Sequence, residues 1–263
     1  MGALGRSDQT ATADRSAEAP SVDVRSGEIL AGPLIGELIG LLAHDLRNPL
    51  SALHSNLGYL EAVLASEEGE AREAVEDGVV SCDGLSHVID NVDLLGQVLR
   101  GGLQVQRGPS PIAALLAGAV ERCQAAARSH GLTLELDAKA RQMHVIVDVA
   151  RDLASRALTN LIRNSIQHAP PGSTVLVTVA VEGSKVLVQV RDTGTRLADD
   201  NWEVAFTAEG QVAAKHRSNS RYSRGMGLYC ARLAAQLCGC EVGVVPNAKG
   251  NMFQLVLPQI AQR

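Results

Sequence analysis

The chain has 263 residues, of which 46% are hydrophobic, 20% charged and only 2% aromatic, with a formal net charge of −5. That length supports one large core or two small ones, built from aliphatic side chains, and the acidic balance argues against nucleic acid as the main partner. No stretch approaches the roughly 18–20 uninterrupted apolar residues of a membrane span, and no basic start followed by an apolar run marks a secretory leader.

Residues 1–27, rich in Ala, Ser, Asp and Arg, have little to bury and are expected to be disordered. From Leu46 the apolar positions are Leu46, Leu50, Leu53, Leu57, Leu60 and Leu64, alternating four and three apart. That is the seam of a coiled coil. After the polar break SEEGE the pattern returns at Leu85, Val88, Val92, Leu95 and Leu99, and Gly101-Gly102 ends it. Two such helices on a short connection predict an antiparallel hairpin over 28–102, and covering both seams calls for a homodimer forming a four-helix bundle.

Within the first helix, AHDLRNPLSAL sets His44 beside Asp45 and places Pro49 where its ring opposes the Asp45 carbonyl. His44 lies two residues before Leu46, about 200° round a helix, so it points away from the seam. A bend at Pro49 is expected to leave His44 and Asp45 accessible. A carboxylate next to an exposed imidazole can take its proton while the other ring nitrogen attacks.

Residues 103–263 read as an α/β layer. GLQVQRG suggests a short strand, PIAALLAGAVERCQAAARSHG a helix stopped by Gly131, and LTLELDA and MHVIVD strands. VARDLASRALTNLIRNSIQHAPPG is a helix ending in two prolines, and TVLVTVAVEGSKVLVQVRD a hairpin around Gly183. RGMGLYCARLAAQLCG opens a helix with glycines, and CEVGVV and NMFQLVLP close the domain as strands. Largely antiparallel strands alternating with helices predict a sandwich with one open face.

Three features in this half suit a nucleotide. Asn160 and Asn164 share one helix face and offer neutral oxygens, suited to a hydrated Mg²⁺ already bound to phosphates. Asp192, at a strand end, can accept from an exocyclic amine, and Gly194 lets a flat ring approach. Gly225 and Gly227 free backbone N–H groups at a helix start for phosphate. Between them, a polar segment carrying Lys215, His216, Arg217 and Arg221 reads as a mobile lid. The five cysteines (Cys82, Cys123, Cys230, Cys238 and Cys240) have no metal-site spacing. Their odd number fits reduced thiols in a cytoplasm, acting as small hydrophobes.

In order, the chain contains HDLRNPL, NLIRNSIQH, RDTG, VAFT and RGMGL. This succession resembles the H, N, G1, F and G2 boxes of bacterial two-component sensor histidine kinases, over about residues 30–260. The resemblance implies a dimerisation and phosphotransfer hairpin followed by a Bergerat-fold ATP-binding domain. By similarity, His44 takes the γ-phosphoryl of ATP and passes it to an aspartate on a response regulator receiver domain. Asp45 is then the base, Arg47 lies near the phosphoryl group, and Asn48 matches the position that orients water when such kinases dephosphorylate their regulator. Asn164 corresponds to the Mg²⁺ ligand with Asn160 its partner. Asp192 corresponds to the adenine-binding acid, Gly194, Gly225 and Gly227 to the glycines around base and phosphates, Phe206 to the F-box aromatic, and Lys215 to a lid cation.

Three positions depart from the pattern: Arg196 replaces the second glycine of the G1 box, Ser223 an early glycine of G2, and Gln167 a common Lys or Arg. Arg196 is expected to crowd the adenine pocket. Arg196 and Ser223 motivate an alternative, a degenerate relative that binds ATP poorly and acts as a phosphotransfer shuttle or regulator-binding module. With no sensor or membrane segment in the chain, the input is expected from a separate sensor protein or from a ligand docking on the bundle.

Overall fold

The computed structural model describes residues 42, 45–46, 48–53, 55–56, 59–60, 68–99, 103–197, 202–217 and 226–260. His44, Arg47, Gly225 and the lid residues 218–224 lie outside them, as does residue 1–27.

The described positions between 42 and 60 are helical. A long helix, α1 (Glu68–Leu99), follows, already under way inside the SEEGE stretch. The two pack together: a Cβ on Gly78 would sit 3.5 Å from Leu53 Cδ1. On α1, Val88 and Leu95 are buried and Leu85 and Val92 half-buried, so the seam read from the sequence is covered. Leu50, by contrast, is 55% exposed. Asp45 also departs from expectation: it is only 4% exposed. Pro49 is buried as well, so the segment around the proline lies against the protein instead of standing off it.

The α/β body contains β1 (Gly108–Pro111), α2 (Ile112–Ser129), β2 (Thr133–Leu136), the short α3 (Ala138–Arg141) and β3 (Ile146–Val149). Then come α4 (Arg151–His168), β4 (Thr174–Glu182), β5 (Lys185–Arg191), α5 (Trp202–Ala205) and α6 (Ala208–Arg217). It closes with α7 (Gly227–Leu237), β6 (Glu241–Val244) and β7 (Met252–Pro258). The main sheet has the order β2-β4-β5-β7-β6, with β2 and β4 parallel and the other pairings antiparallel. Its inner face is aliphatic: Val177 pairs with Val190, Val190 with Phe253 and Val188 with Leu255, and all five are fully buried. The outer face keeps Gln189 bonded to Gln254 at 3.0 Å. One face is therefore packed and the other wet, as alternation in the strands implied.

Two details differ from the sequence reading. The segment 103–107 is not a strand; pairing begins at Gly108, where β1 runs antiparallel to β3. Pro109 and Pro111 lack the N–H that a central strand needs, and a two-stranded edge tolerates them. The lid segment, read as aperiodic, contains α6. Thr207 caps it, its Oγ1 accepting from Gly210 N at 3.0 Å, and Ala208, Gln211 and Val212 are buried. Helix α4 ends where expected, because Ala169 precedes Pro170 and is driven to extended backbone (φ −75°, ψ 143°).

Candidate nucleotide site

Helix α4 is the spine of the site. Its apolar stripe (Leu153, Ala157, Leu158, Leu161, Ile162 and Ile166) is buried against the body. Asn160, Asn164 and His168, each four residues apart, share a face that runs about 12 Å along the helix. One end of that face meets the start of α7, where a Cβ on Gly227 would lie 3.6 Å from Asn160 Oδ1. The other end meets the turn after β5, where a Cβ on Gly194 would fall 2.3 Å from the His168 carbonyl oxygen. Gly194 is thus required first by the close approach of helix and turn. The helix itself brings the N-, G1- and G2-box residues into one line.

At the turn, Asp192 is fully buried. Its Oδ1 accepts from Gly194 N at 2.8 Å, from Asn251 Nδ2 at 3.1 Å and from Asn251 N at 3.3 Å. Its Oδ2 is buried with no donor. Leaving a buried carboxylate oxygen unpaired costs about 1–3 kcal/mol or more, so the atom is suited to an incoming N–H donor. An exocyclic amine fits this requirement.

Asn251, 4% exposed, organises the whole turn. Besides holding Asp192 it donates to the Thr195 carbonyl at 3.0 Å and accepts from Leu197 N at 2.8 Å. The preceding Gly250 (φ +65°) lets the two loops touch, since a Cβ there would stand 2.1 Å from the Asp192 carbonyl oxygen. Neither residue stood out in the sequence. A Gly-Asn pair just before a closing strand was the available signal. Arg196 is exposed on this loop, so it does not fill buried space beside Asp192.

At the other end, Asn160 is 1% exposed and its amide is fully engaged. Its Oδ1 accepts from Asn91 Nδ2 at 3.0 Å and lies 3.1 Å from His87 Nε2. Its Nδ2 donates to Asn91 Oδ1 and to the Arg156 carbonyl, both at 3.0 Å. An amide has two acceptor and two donor places: Asn91 and the Arg156 carbonyl fill three of them, and His87 Nε2 fills the fourth when that nitrogen carries the proton. Asn91 and His87 belong to α1, so the hairpin helix grips the N-box asparagine. A cleft of about 300 Å³ opens beside this contact, where Arg122, Arg156 and Arg163 face Asp83, Asp90 and Glu121. Asp192 does not line it, and its balanced charges do not select a polyphosphate.

The remaining predicted residues divide clearly. Asn164 is half-buried on α4 between the two ends, and Asn48 is half-buried on the first helix. Phe206 is 1% exposed, set edge-on to Phe253 with centroids 6.3 Å apart and with Arg232 over its ring at 5.8 Å. It braces α5 from within the core and presents no surface to a ligand. Lys215 is in α6, and its side chain lies outside the described residues. Burial pushes the thiols of Cys123 and Cys230 up to about 11 and about 12, which makes both poor nucleophiles. No group of three or more metal-ligating side chains occurs among the described residues.

The family described as histidine kinase-, DNA gyrase B-, and HSP90-like ATPase matches residues 149–261. Those residues hold α4, the Asp192 turn and the start of α7. Over residues 149–261 the chain is therefore similar to the ATPase domains of that family. The sensor protein SrrB of Staphylococcus aureus (strain NCTC 8325 / PS 47) is 25% identical over 227 residues, 85% of this chain. The chain spans only 38% of that relative's length. Homology to sensor histidine kinases therefore extends beyond the ATPase domain into the helices before it. Among solved structures, the Acinetobacter baumannii histidine kinase AdeS matches with a TM-score of 0.52 and 16% identity, covering 83% of this chain and 98% of its own. Full-length ShkA, solved with AMPPNP, matches with a TM-score of 0.52 and 20% identity, covering 84% of this chain and 46% of its own. These two likenesses concern the fold alone. No described helix is long and apolar enough to cross a membrane.

Proposed function

We propose that the chain is a two-component histidine kinase that phosphorylates His44 from ATP and passes the phosphoryl group to a response regulator aspartate. The observation that carries the nucleotide half is the donorless, buried Oδ2 of Asp192 within the region similar to the ATPase domains of this family. Asp192 would take the adenine amine, and the face of α4 would lead from it toward the phosphates. Asn164, with Asn160 once released from α1, would hold Mg²⁺, which neutralises phosphate charge. Neutral amide oxygens suit a metal that keeps several waters, so these residues fit the ion.

A ring nitrogen of His44 would attack the γ-phosphorus while the bond to the β-phosphate oxygen breaks and ADP leaves. Asp45 would accept the imidazole proton and stabilise the phosphorylated ring. Asn48, one helical turn beyond His44, would orient water for dephosphorylation of the regulator, and Arg47 would steady the phosphoryl group. Lys215 and Gly225 would meet the phosphates from the lid and the start of α7.

A homodimer is supported by a second stripe on α1. Val75 (48% exposed), Val79 (54%) and Ile89 (50%) are uncovered in one protomer, with exposed Cys82 and Ser86 completing a four-three spacing. An apolar stripe of this period calls for a partner helix.

The test is incubation with γ-labelled ATP and Mg²⁺, following acid-labile, base-stable label. Wild type should label, and His44→Ala and Asn164→Ala should not. A folded wild type that takes no label overturns the kinase reading and leaves the phosphotransfer shuttle.

A further inference from the structure

Helix α7 ends in a motif that puts two thiols in contact. The Cys240 N–H reaches back to the Ala235 carbonyl at 2.8 Å and the Gly239 N–H to Gln236 at 3.0 Å. Gly239 supplies the left-handed residue (φ +71°) that this helix end requires. The turn folds the flanking residues toward each other, and Cys238 Sγ lies 3.2 Å from Cys240 Sγ. Both are free thiols. Two sulfurs at that separation are inside van der Waals contact, and drawing them to the roughly 2.05 Å of a bond needs a shift of about 1 Å.

The surroundings suit oxidation more than inert packing. Hydrogen bonding from Cys240 and the charge of Arg107 hold the Cys238 thiol below its ordinary value against the effect of burial, while Cys240 is pushed up. The Arg107 guanidinium is anchored on Asp148 at 3.4 Å and lies over the turn, 2.6 Å from where a Cβ on Gly239 would be. Cys238 is fully buried, but Gly239 beside it is exposed and Cys240 keeps 5% exposure, so a small oxidant would enter past Gly239 and Cys240. Cys123 and Cys230, each without a neighbouring thiol in contact and with pKa values raised to about 11 and 12, have none of these features.

We infer that Cys238 and Cys240 form a dithiol site that is oxidised reversibly to an intramolecular disulfide by a peroxide. The Cys238 thiolate attacks a peroxide oxygen, the O–O bond breaks, and the departing hydroxide takes a proton to become water. The Cys240 sulfur then attacks the Cys238 sulfenic sulfur and gives up its proton. The S–O bond breaks, a second water leaves and the S–S bond remains. Two thiols lose two electrons together and one hydrogen peroxide becomes two waters. The disulfide would replace the Cys238 S–H contact with the Ala235 carbonyl, now 3.3 Å, at the end of the helix that begins at Gly227 beside Asn160.

The experiment uses the full chain with Cys82→Ser, which removes the exposed thiol on α1. The reduced, native protein is exposed to hydrogen peroxide and its intact mass measured. The expected result is a loss of two hydrogens, mapped to a peptide containing Cys238 and Cys240 and reversed by dithiothreitol. In the same background Cys240→Ser should instead accumulate a sulfenic acid at Cys238 that dimedone traps. An unchanged mass at peroxide doses that oxidise Cys82 in the wild type overturns the inference. So does a two-hydrogen loss that persists in the Cys240→Ser protein. The readout is independent of ATP, so its failure leaves the kinase reading untouched.

Discussion

The two ends of the α4 face are prepared for a ligand to different degrees. At the Asp192 end the carboxylate is fixed by three N–H donors, braced by Asn251, and left with one buried oxygen unpaired. Nothing has to move for that oxygen to accept a hydrogen bond. At the Asn160 end every polar atom of the amide is already satisfied, and two of its partners come from α1. A metal or phosphate can use Asn160 only if the hairpin helix lets go. Two amide–amide bonds at about 1 kcal/mol each amount to roughly a 30-fold bias toward the closed arrangement. Under the proposed function this shows where regulation can enter: the Asp192 end, proposed for the base, is preformed, and the Asn160 end, proposed for the phosphates, is conditional on the position of α1.

Changing the preformed end should have the larger effect. Asp192→Asn keeps an oxygen for Gly194 and Asn251 but turns the open acceptor into a donor. Loss of a hydrogen bond to a charged group is worth about 1.5–3 kcal/mol, so nucleotide affinity should fall about 10- to 150-fold with little change in Tm. Titration with a fluorescent ATP analogue checks this, and retained affinity would mean that the oxygen faces no ligand.

Releasing the conditional end should act in the opposite direction. In Asn91→Leu, Asn160 keeps its bonds to Arg156 and His87 but loses its amide partner. Mg²⁺–nucleotide affinity and the initial rate of His44 labelling should rise, by up to about 30-fold if the full bias is removed. Kinetics no faster than wild type would show that the contact does not limit access.

The smallest effect is expected at the brace. Asn251→Ala leaves the Leu197 N–H and the Thr195 carbonyl without their side-chain partner and strips a donor from Asp192. Stability should drop by about 1–3 kcal/mol, with only a several-fold loss in affinity that matches for adenosine and ATP. Thermal unfolding beside the two titrations separates the brace from a direct contact.

Much of this comparison was legible in the sequence, and the illegible part has a physical cause. Helix α4 was readable because its apolar period, its paired asparagines and its terminal prolines agree. The sheet was readable from strict alternation, and Asp192 from its place at a strand end before glycine. Asn251 and Gly250 escaped because they act through a loop meeting 59 residues away, between Asn251 and Asp192, which no local pattern encodes. Asn91 and His87 were not singled out, because no local pattern on α1 distinguishes them. Only the docking of α1 on α4 makes them partners of Asn160. Asp45 was expected to be accessible because of a bend at Pro49, yet both Asp45 and Pro49 are buried. The heptad pattern defines one face of a helix and says nothing of a second contact. For the same reason Phe206, picked out by its motif, belongs to the core with Phe253.

The most direct measurement is a paired titration of wild type and Asn91→Leu, by calorimetry, with adenosine and with Mg²⁺ plus a non-hydrolysable ATP analogue. Adenosine reaches only the Asp192 end, whereas the metal–triphosphate must also engage the Asn160 end. The expected result is equal adenosine affinity in the two proteins and tighter metal–nucleotide binding in the variant alone. Equal metal–nucleotide affinity in both, or adenosine binding that changes along with it, would contradict the division of the site into a preformed end and a gated one.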